Sequence, residues 1–120
     1  MIAPVSVSTR DPSQVFLALA DPTRRKMIEQ LSVLGPVTIT QLTEVFPITR
    51  QAVTKHLETL HDAGLVETER RGRERIVTFR PEPLREATDW VAAVEARWDR
   101  RLAALAQFLA SESESLSESL

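Results

Sequence analysis

A mainly α fold, five helices and one two-stranded β hairpin, is what this sequence predicts, and three observations predict it. Apolar residues recur at helical spacing in successive segments, each bounded by a capping residue, a proline or a glycine. One stretch, residues 65–80, reads instead as two short strands around a glycine. The final apolar pattern, from Leu84 to Leu109, keeps steps of three and four residues throughout.

The elements follow in order. Residues 1–12 read as a flexible arm. A first helix is expected from Ser13 to Ala20, carrying Val15, Phe16, Leu17 and Leu19. Asp21-Pro22 then starts a second helix. An Asp carboxylate accepts from orphan amides, and Pro at the first helical position loses nothing by lacking its N–H. That helix runs to Leu34 with Met27, Ile28, Leu31 and Leu34 on one stripe, and Gly35-Pro36 ends it. Thr38 and Gln41 fit a capping box for a short third helix to about Phe46, burying Ile39, Leu42 and Val45, with Pro47 as its stop. Thr49 caps a fourth helix to about Ala63, and Gly64 follows it. Val53, Leu57 and Leu60 share its inner face, which leaves Arg50, Gln51, Thr54, Lys55 and Glu58 on the opposite one. Leu65–Arg70 and Arg75–Arg80 are the strands, with Gly72 supplying a positive φ in the turn. Pro81 and Pro83 break the chain. A last helix from Leu84 to Ala110 carries Ala87, Val91, Val94, Trp98, Leu102, Leu105 and Leu109. So long an apolar seam exceeds what a small body covers, and a partner helix is its natural cover. Residues 111–120, SESESLSESL, read as a disordered acidic tail.

Composition narrows the chemistry. A length of 120 residues is one domain's worth, and 42% apolar with 27% charged residues is ordinary for a globular protein. The absence of cysteine removes disulfides, thiolate nucleophiles and thiolate metal sites together. The N-terminal residues carry no apolar run or basic leader, and no membrane span is visible, so a cytoplasmic protein is expected. A net charge of −2 is not that of a strongly basic nucleic-acid binder, yet the distribution is uneven. The last ten residues hold three Glu and no base, so residues 1–110 carry +1, and six Arg stand against two Glu between Arg70 and Arg85.

The order helix, helix, helix, helix, hairpin, long helix is the winged helix-turn-helix plan. The third helix braces, the fourth offers its N-terminal residues to the major groove, and the hairpin is a wing placed along the backbone or in the minor groove. Arg50 and Lys55 suit guanine or phosphate, Gln51 suits adenine, and Thr54 suits a base edge or phosphate. The helix N-terminus near Thr49 favours phosphate. Arg71, Arg73 and Arg75 are the wing's candidate phosphate contacts, taken as a group. His56 either contacts DNA or braces the helix by a hydrogen bond, and His61 suits the negative end of the helix dipole.

The runs LALADPTRRKMIEQL and TITQLTEVFPITRQAVTKHLETLHDAGLVETERRGRERIVTF resemble the ArsR-type family of bacterial winged-helix regulators, over roughly residues 13–80. The segment REATDWVAAVEARWDRRLAALAQFL is similar to the final helix of a non-metal branch of that family. The resemblance implies a 13–83 DNA-binding domain and an 84–110 dimerisation helix. It further implies a homodimer, built from the first and last helices, that represses by occupying an inverted-repeat operator. Its candidate interface is Val15, Phe16, Leu19, Val91, Val94, Trp98, Leu102 and Leu105. Metal-sensing members use Cys near the third helix or His/Asp/Glu sets on the last, and this chain has neither Cys nor any His after His61. No metal site and no cofactor are expected.

Two other function classes compete. A winged-helix module that binds protein rather than DNA fits the near-neutral charge, but not the arginine wing or the polar face at residues 50–55. An enzyme is disfavoured, with no phosphate-cradling loop, no nucleophile elbow and only two histidines. Trp90 and Trp98 read as interface or core residues, and an unknown small-molecule effector between paired last helices is the one ligand they suggest.

Overall fold

A computed structural model describes residues 11–119 of the chain. The expected arm therefore lies outside the described residues, except for Asp11 and Pro12. These two are tied to the first helix rather than loose. Asp11 accepts from the Ser13 amide at 2.9 Å and its hydroxyl at 2.8 Å, and the Pro12 carbonyl accepts from the Phe16 amide. The elements are α1 (Ser13–Leu19), α2 (Pro22–Leu34), β1 (Val37–Thr38), α3 (Ile39–Val45), α4 (Arg50–Asp62), β2 (Val66–Arg71), β3 (Glu74–Phe79) and α5 (Glu82–Ser119). They fall into two compact units divided after Ala87.

Local side-chain chemistry starts most of the first unit's helices. Asp21 accepts from the Arg24 amide and Pro22 occupies the first turn of α2. Thr38 and Gln41 complete the capping box of α3, and Thr49 accepts from the Ala52 amide at the start of α4. The end of α4 is closed equally tightly. Gly64, at φ 77°, donates to the His61 carbonyl, and Leu65 donates to that of Leu60. This paired closure needs a left-handed residue at position 64. It puts Leu65, fully buried, straight into the core beside Leu60.

The strands form one antiparallel sheet of order β1-β3-β2. β2 and β3 pair from Val66↔Phe79 to Arg71↔Glu74, joined by the two-residue loop Gly72-Arg73 with Gly72 at φ 63°. Gly at the first loop position is what such a tight hairpin requires. A third strand, absent from the sequence expectation, is β1, whose Val37 and Thr38 pair with Val77 and Ile76. Two residues leave no periodicity to read, and β1 exists only because β3 supplies its partner.

Apolar faces of α1–α4, β2, β3 and the start of α5 enclose one core. It includes Met27, Leu31, Leu42, Val53, Leu57, Leu60, Leu65 and Val77. Three expectations about burial are corrected. Val15, assigned to a subunit interface, is 0% exposed inside this core and has no surface to offer a partner. Leu34, at the C-terminal end of α2, is 50% exposed. Val45 is 48% exposed, because the chain turns to an extended conformation at Phe46 and packs that ring inward instead.

α5 begins at Glu82, two residues before the expected start. Pro83 sits within its first turn, where a missing N–H costs nothing, and is fully buried, while Leu84 and Arg85 donate to the Pro81 carbonyl. In the second unit the helix continues to Ser119 instead of fraying after Ala110. The Ser-Glu repeat contains neither Gly nor Pro, and Glu is a good helix former, so nothing local stops it. Every side chain described from residue 88 to 117 is exposed, including Val91, Val94, Leu102, Leu105 and Trp98, which is 58% exposed. Among the described residues no helix is long and apolar enough to cross a membrane.

Candidate nucleic-acid interface

α3 and α4 are joined by the four residues Phe46–Thr49, with Phe46 and Ile48 packed against the core. The burial of Val53, Leu57 and Leu60 fixes the rotation of α4 and turns its other face outward. On that face Arg50, Gln51, Thr54, Lys55 and Glu58 line an open concavity of about 380 Å³. Thr49, Arg50, Gln51 and Lys55 are exposed and Thr54 is half-buried. Thr49 spends its hydroxyl on the Ala52 amide at 3.0 Å, which fixes the first turn that carries Arg50 and Gln51. Arg50 donates to the Thr40 hydroxyl at 3.0 Å, tying α4 to α3 and holding its guanidinium at the rim. Glu58 was not among the expected site residues. Its carboxylate repels phosphate but can accept from a cytosine amino group.

His56 turns away from that concavity's lining toward α2. The Arg24 guanidinium, which can only donate, places Nη1 3.4 Å from His56 Nδ1, so Nδ1 accepts and the ring proton sits on Nε2. The same guanidinium donates through Nε to the Ala18 carbonyl at 2.6 Å and through Nη2 to the Leu17 carbonyl at 3.1 Å. Arg24 thus fastens the end of α1 to the flank of α4. Of the two roles considered for His56, this geometry supplies the bracing one. Arg24 itself was missed, although it stands within the LALADPTRRKMIEQL run that carries the family resemblance. The neighbouring Asp21 carboxyl is held below its ordinary range, chiefly by its hydrogen bond from the Arg24 amide and further by the Arg24 charge. His61, in the last turn of α4, lies 3.8 Å from Asp62, with both side chains exposed.

The wing's arginines differ from one another. Arg71 lies 3.7 Å from Glu69 on its own strand and opposite Glu74 on the next. Arg80 is bonded to Glu67 at 2.7 Å, which raises its pKa above the ordinary guanidinium value. Arg73 is exposed at the tip. Arg75 lies on the α4 side of the hairpin, where it lines a second concavity of about 310 Å³ with Thr54, Glu58, His61, Asp62 and Thr68. The structure therefore brings Arg50, Gln51, Thr54, Lys55 and Arg75 to one continuous surface and sets Arg71 apart from it. Among the described residues no cluster of three metal-ligating side chains forms.

Residues 19–69 match the model of a helix-turn-helix domain. The chain is 43% identical to the uncharacterized HTH-type transcriptional regulator YuzN of Bacillus subtilis, over 59% of this chain and 84% of that protein. It is similar in structure to an ArsR-like transcriptional regulator from Rhodococcus sp. RHA1, with a TM-score of 0.72 and 35% identity over 81% of this chain and 91% of that one. The chain belongs to the ArsR family. Its relatives also include the transcriptional repressor SdpR of Bacillus subtilis, 29% identical over 66% of this chain and 87% of that protein. This ArsR-family chain is accordingly a transcriptional regulator with a helix-turn-helix DNA-binding domain, α3 and α4 being its helix pair and β2–β3 its wing.

Proposed function

We propose that the protein is a homodimeric repressor that occupies an inverted-repeat operator, with α4 of each subunit in the major groove. The observation that carries this reading is the division of α4. One side is locked in the core by Val53, Leu57 and Leu60, and the other presents Arg50, Gln51, Thr54 and Lys55 to solvent. Arg50 and Lys55 supply charge for phosphate or guanine, Gln51 a bidentate pair for adenine, and Thr54 a short polar contact. The helix dipole at Thr49 and the arginines at positions 73 and 75 add phosphate contacts.

Dimerisation is supported by the exposed seam of Val91, Val94, Trp98, Leu102 and Leu105 on α5, with the exposed Phe16 and half-buried Leu19 of α1 as further apolar surface. A two-fold pair would set its recognition helices about 34–36 Å apart, one turn of DNA, or a multiple of that. Repression is supported by the name of the relative SdpR, and a DNA-bound role places the protein in the cytoplasm.

Selection of bound sites from a random duplex pool tests the reading. A palindromic consensus is expected, and Gln51→Ala is expected to relax it at one position per half-site. Binding at physiological salt that shows no sequence preference would overturn it.

A further inference from the structure

The hairpin register divides the wing's arginines between two unlike faces. Alternation along β2 and β3 places Arg70, Thr68 and Val66 on one face with Arg75, Val77 and Phe79. The other face carries Arg71 and Arg80 among Glu67, Glu69 and Glu74. There the two cations are outnumbered by three carboxylates, and both lie close to one of them. On the first face Arg70 and Arg75 stand directly opposite each other in the ladder. Like charges so placed repel, and among the described residues neither has a carboxylate within 4.0 Å. Arg70 has only a long contact, 3.4 Å, to the Gly72 carbonyl.

This pair also lies on the α4 side of the hairpin, where Glu58 and Asp62 line the same concavity as Arg75 but neither forms an ion pair with it. The concavity lined by Arg75 and the one lined by Arg50, Gln51 and Lys55 share Thr54 and Glu58, so one surface runs from the start of α4 to the wing. We infer that Arg70 and Arg75 form a two-armed clamp for a phosphate of the DNA backbone, and that Arg71 is not a DNA contact. The inference rests on the DNA-binding reading above and adds Arg70 to it. A phosphate between the two guanidiniums turns a repulsive pair into two charge-assisted contacts. The same phosphate on the opposite face would meet a net negative surface. The pair thus sets how far the wing may sit from the strand that flanks the groove held by α4.

The test is the salt dependence of binding, read by fluorescence anisotropy with the full chain and a labelled mixed-sequence DNA duplex. Neutralising one phosphate contact lowers the slope of log K against log salt by about 0.9. Arg70→Ala combined with Arg75→Ala is expected to lose about that much slope for each wing engaged, either alone to lose part of it because the other arm still holds the phosphate, and Arg71→Ala to lose none. Arg70→Lys is expected to keep the slope. Thermal melting of the free protein is the second readout. Arg70→Ala is expected to melt at or above the wild-type temperature, since it removes a repulsion, so a lost slope cannot be ascribed to a damaged fold. A slope that falls for Arg71→Ala and not for Arg70→Ala, or falls equally for both, overturns the clamp while leaving DNA binding intact. Wild-type protein that fails to bind duplex at low salt overturns both readings together.

Discussion

Replacing Arg24 by alanine tests whether one guanidinium holds α1 against the recognition helix. The Ala18 carbonyl belongs to a residue with no exposed surface. Its natural helical donor would be the amide of residue 22, but that residue is proline, so α1 and α2 leave the oxygen without a backbone partner. Arg24 Nε fills the gap at 2.6 Å. Removing a partner from a buried carbonyl costs about 1–3 kcal/mol. The Leu17 carbonyl loses less, because it still accepts from the Ala20 amide and its side chain's surroundings are open to water. The long bond to His56 adds about 0.5 kcal/mol at most. The sum is about 2 kcal/mol, or roughly 10 °C in melting temperature for a domain of this size. Urea unfolding followed by circular dichroism would measure it, with Lys26→Ala as an exposed control on the same helix. A double-mutant cycle with His56→Ala isolates the link to α4, for which a coupling of about 0.5 kcal/mol is expected. Loss of less than about 0.5 kcal/mol in Arg24→Ala would refute the argument that Pro22 makes this arginine necessary.

Other outcomes follow from the same structure. Thr49→Ala should cost about 1 kcal/mol of stability and weaken DNA binding by fraying the turn that bears Arg50 and Gln51, while Thr49→Ser should retain both, as denaturation and anisotropy would show. The Asp21 carboxyl has a folded-state pKa below its unfolded value, so its contribution is complete above about pH 4 and is lost as pH falls through the depressed value. Thermal melts at falling pH should therefore decline less steeply in Asp21→Asn than in the wild type. Trp98→Glu puts a charge in the middle of the α5 seam and is expected to convert dimer to monomer in analytical ultracentrifugation, with the far-ultraviolet spectrum of the first unit's elements retained. A wild-type chain that sediments as a monomer would count against the assembly itself.

Much of the fold was legible because its boundaries are written in local chemistry. Asp21-Pro22, Thr38 with Gln41, and Thr49 each cap a helix through atoms no more than a few residues away, and α2, α3 and α4 begin where those residues place them. What escaped depends on distant partners. β1 is a strand only because Val77 and Ile76 lie beside it. Val15 has the spacing of a surface-stripe residue, and only the packing of other elements over α1 shows that it is interior. Pro83 reads as a breaker, because the sequence alone does not say whether it falls before a first turn or inside one. The outward residues of α4 could be named from periodicity, since helical spacing separates them from Val53, Leu57 and Leu60. The Arg24–His56 brace spans 32 positions and carries no local signal. The wing's two faces needed the hairpin register, as a shift of one residue would exchange them.

The closure at Gly64 and Leu65 leaves no slack between the end of α4 and the first residue of β2. One residue, Leu65, is both the helix's last anchor and the hairpin's base, where its carbonyl accepts from the Arg80 amide at 2.8 Å. α4 and the β2–β3 hairpin are consequently joined as a single tool with a set gauge. Such a tool can be retuned to a new site by exchanging the side chains on its edge, whereas lengthening the joint by even one residue would throw its two working parts out of step.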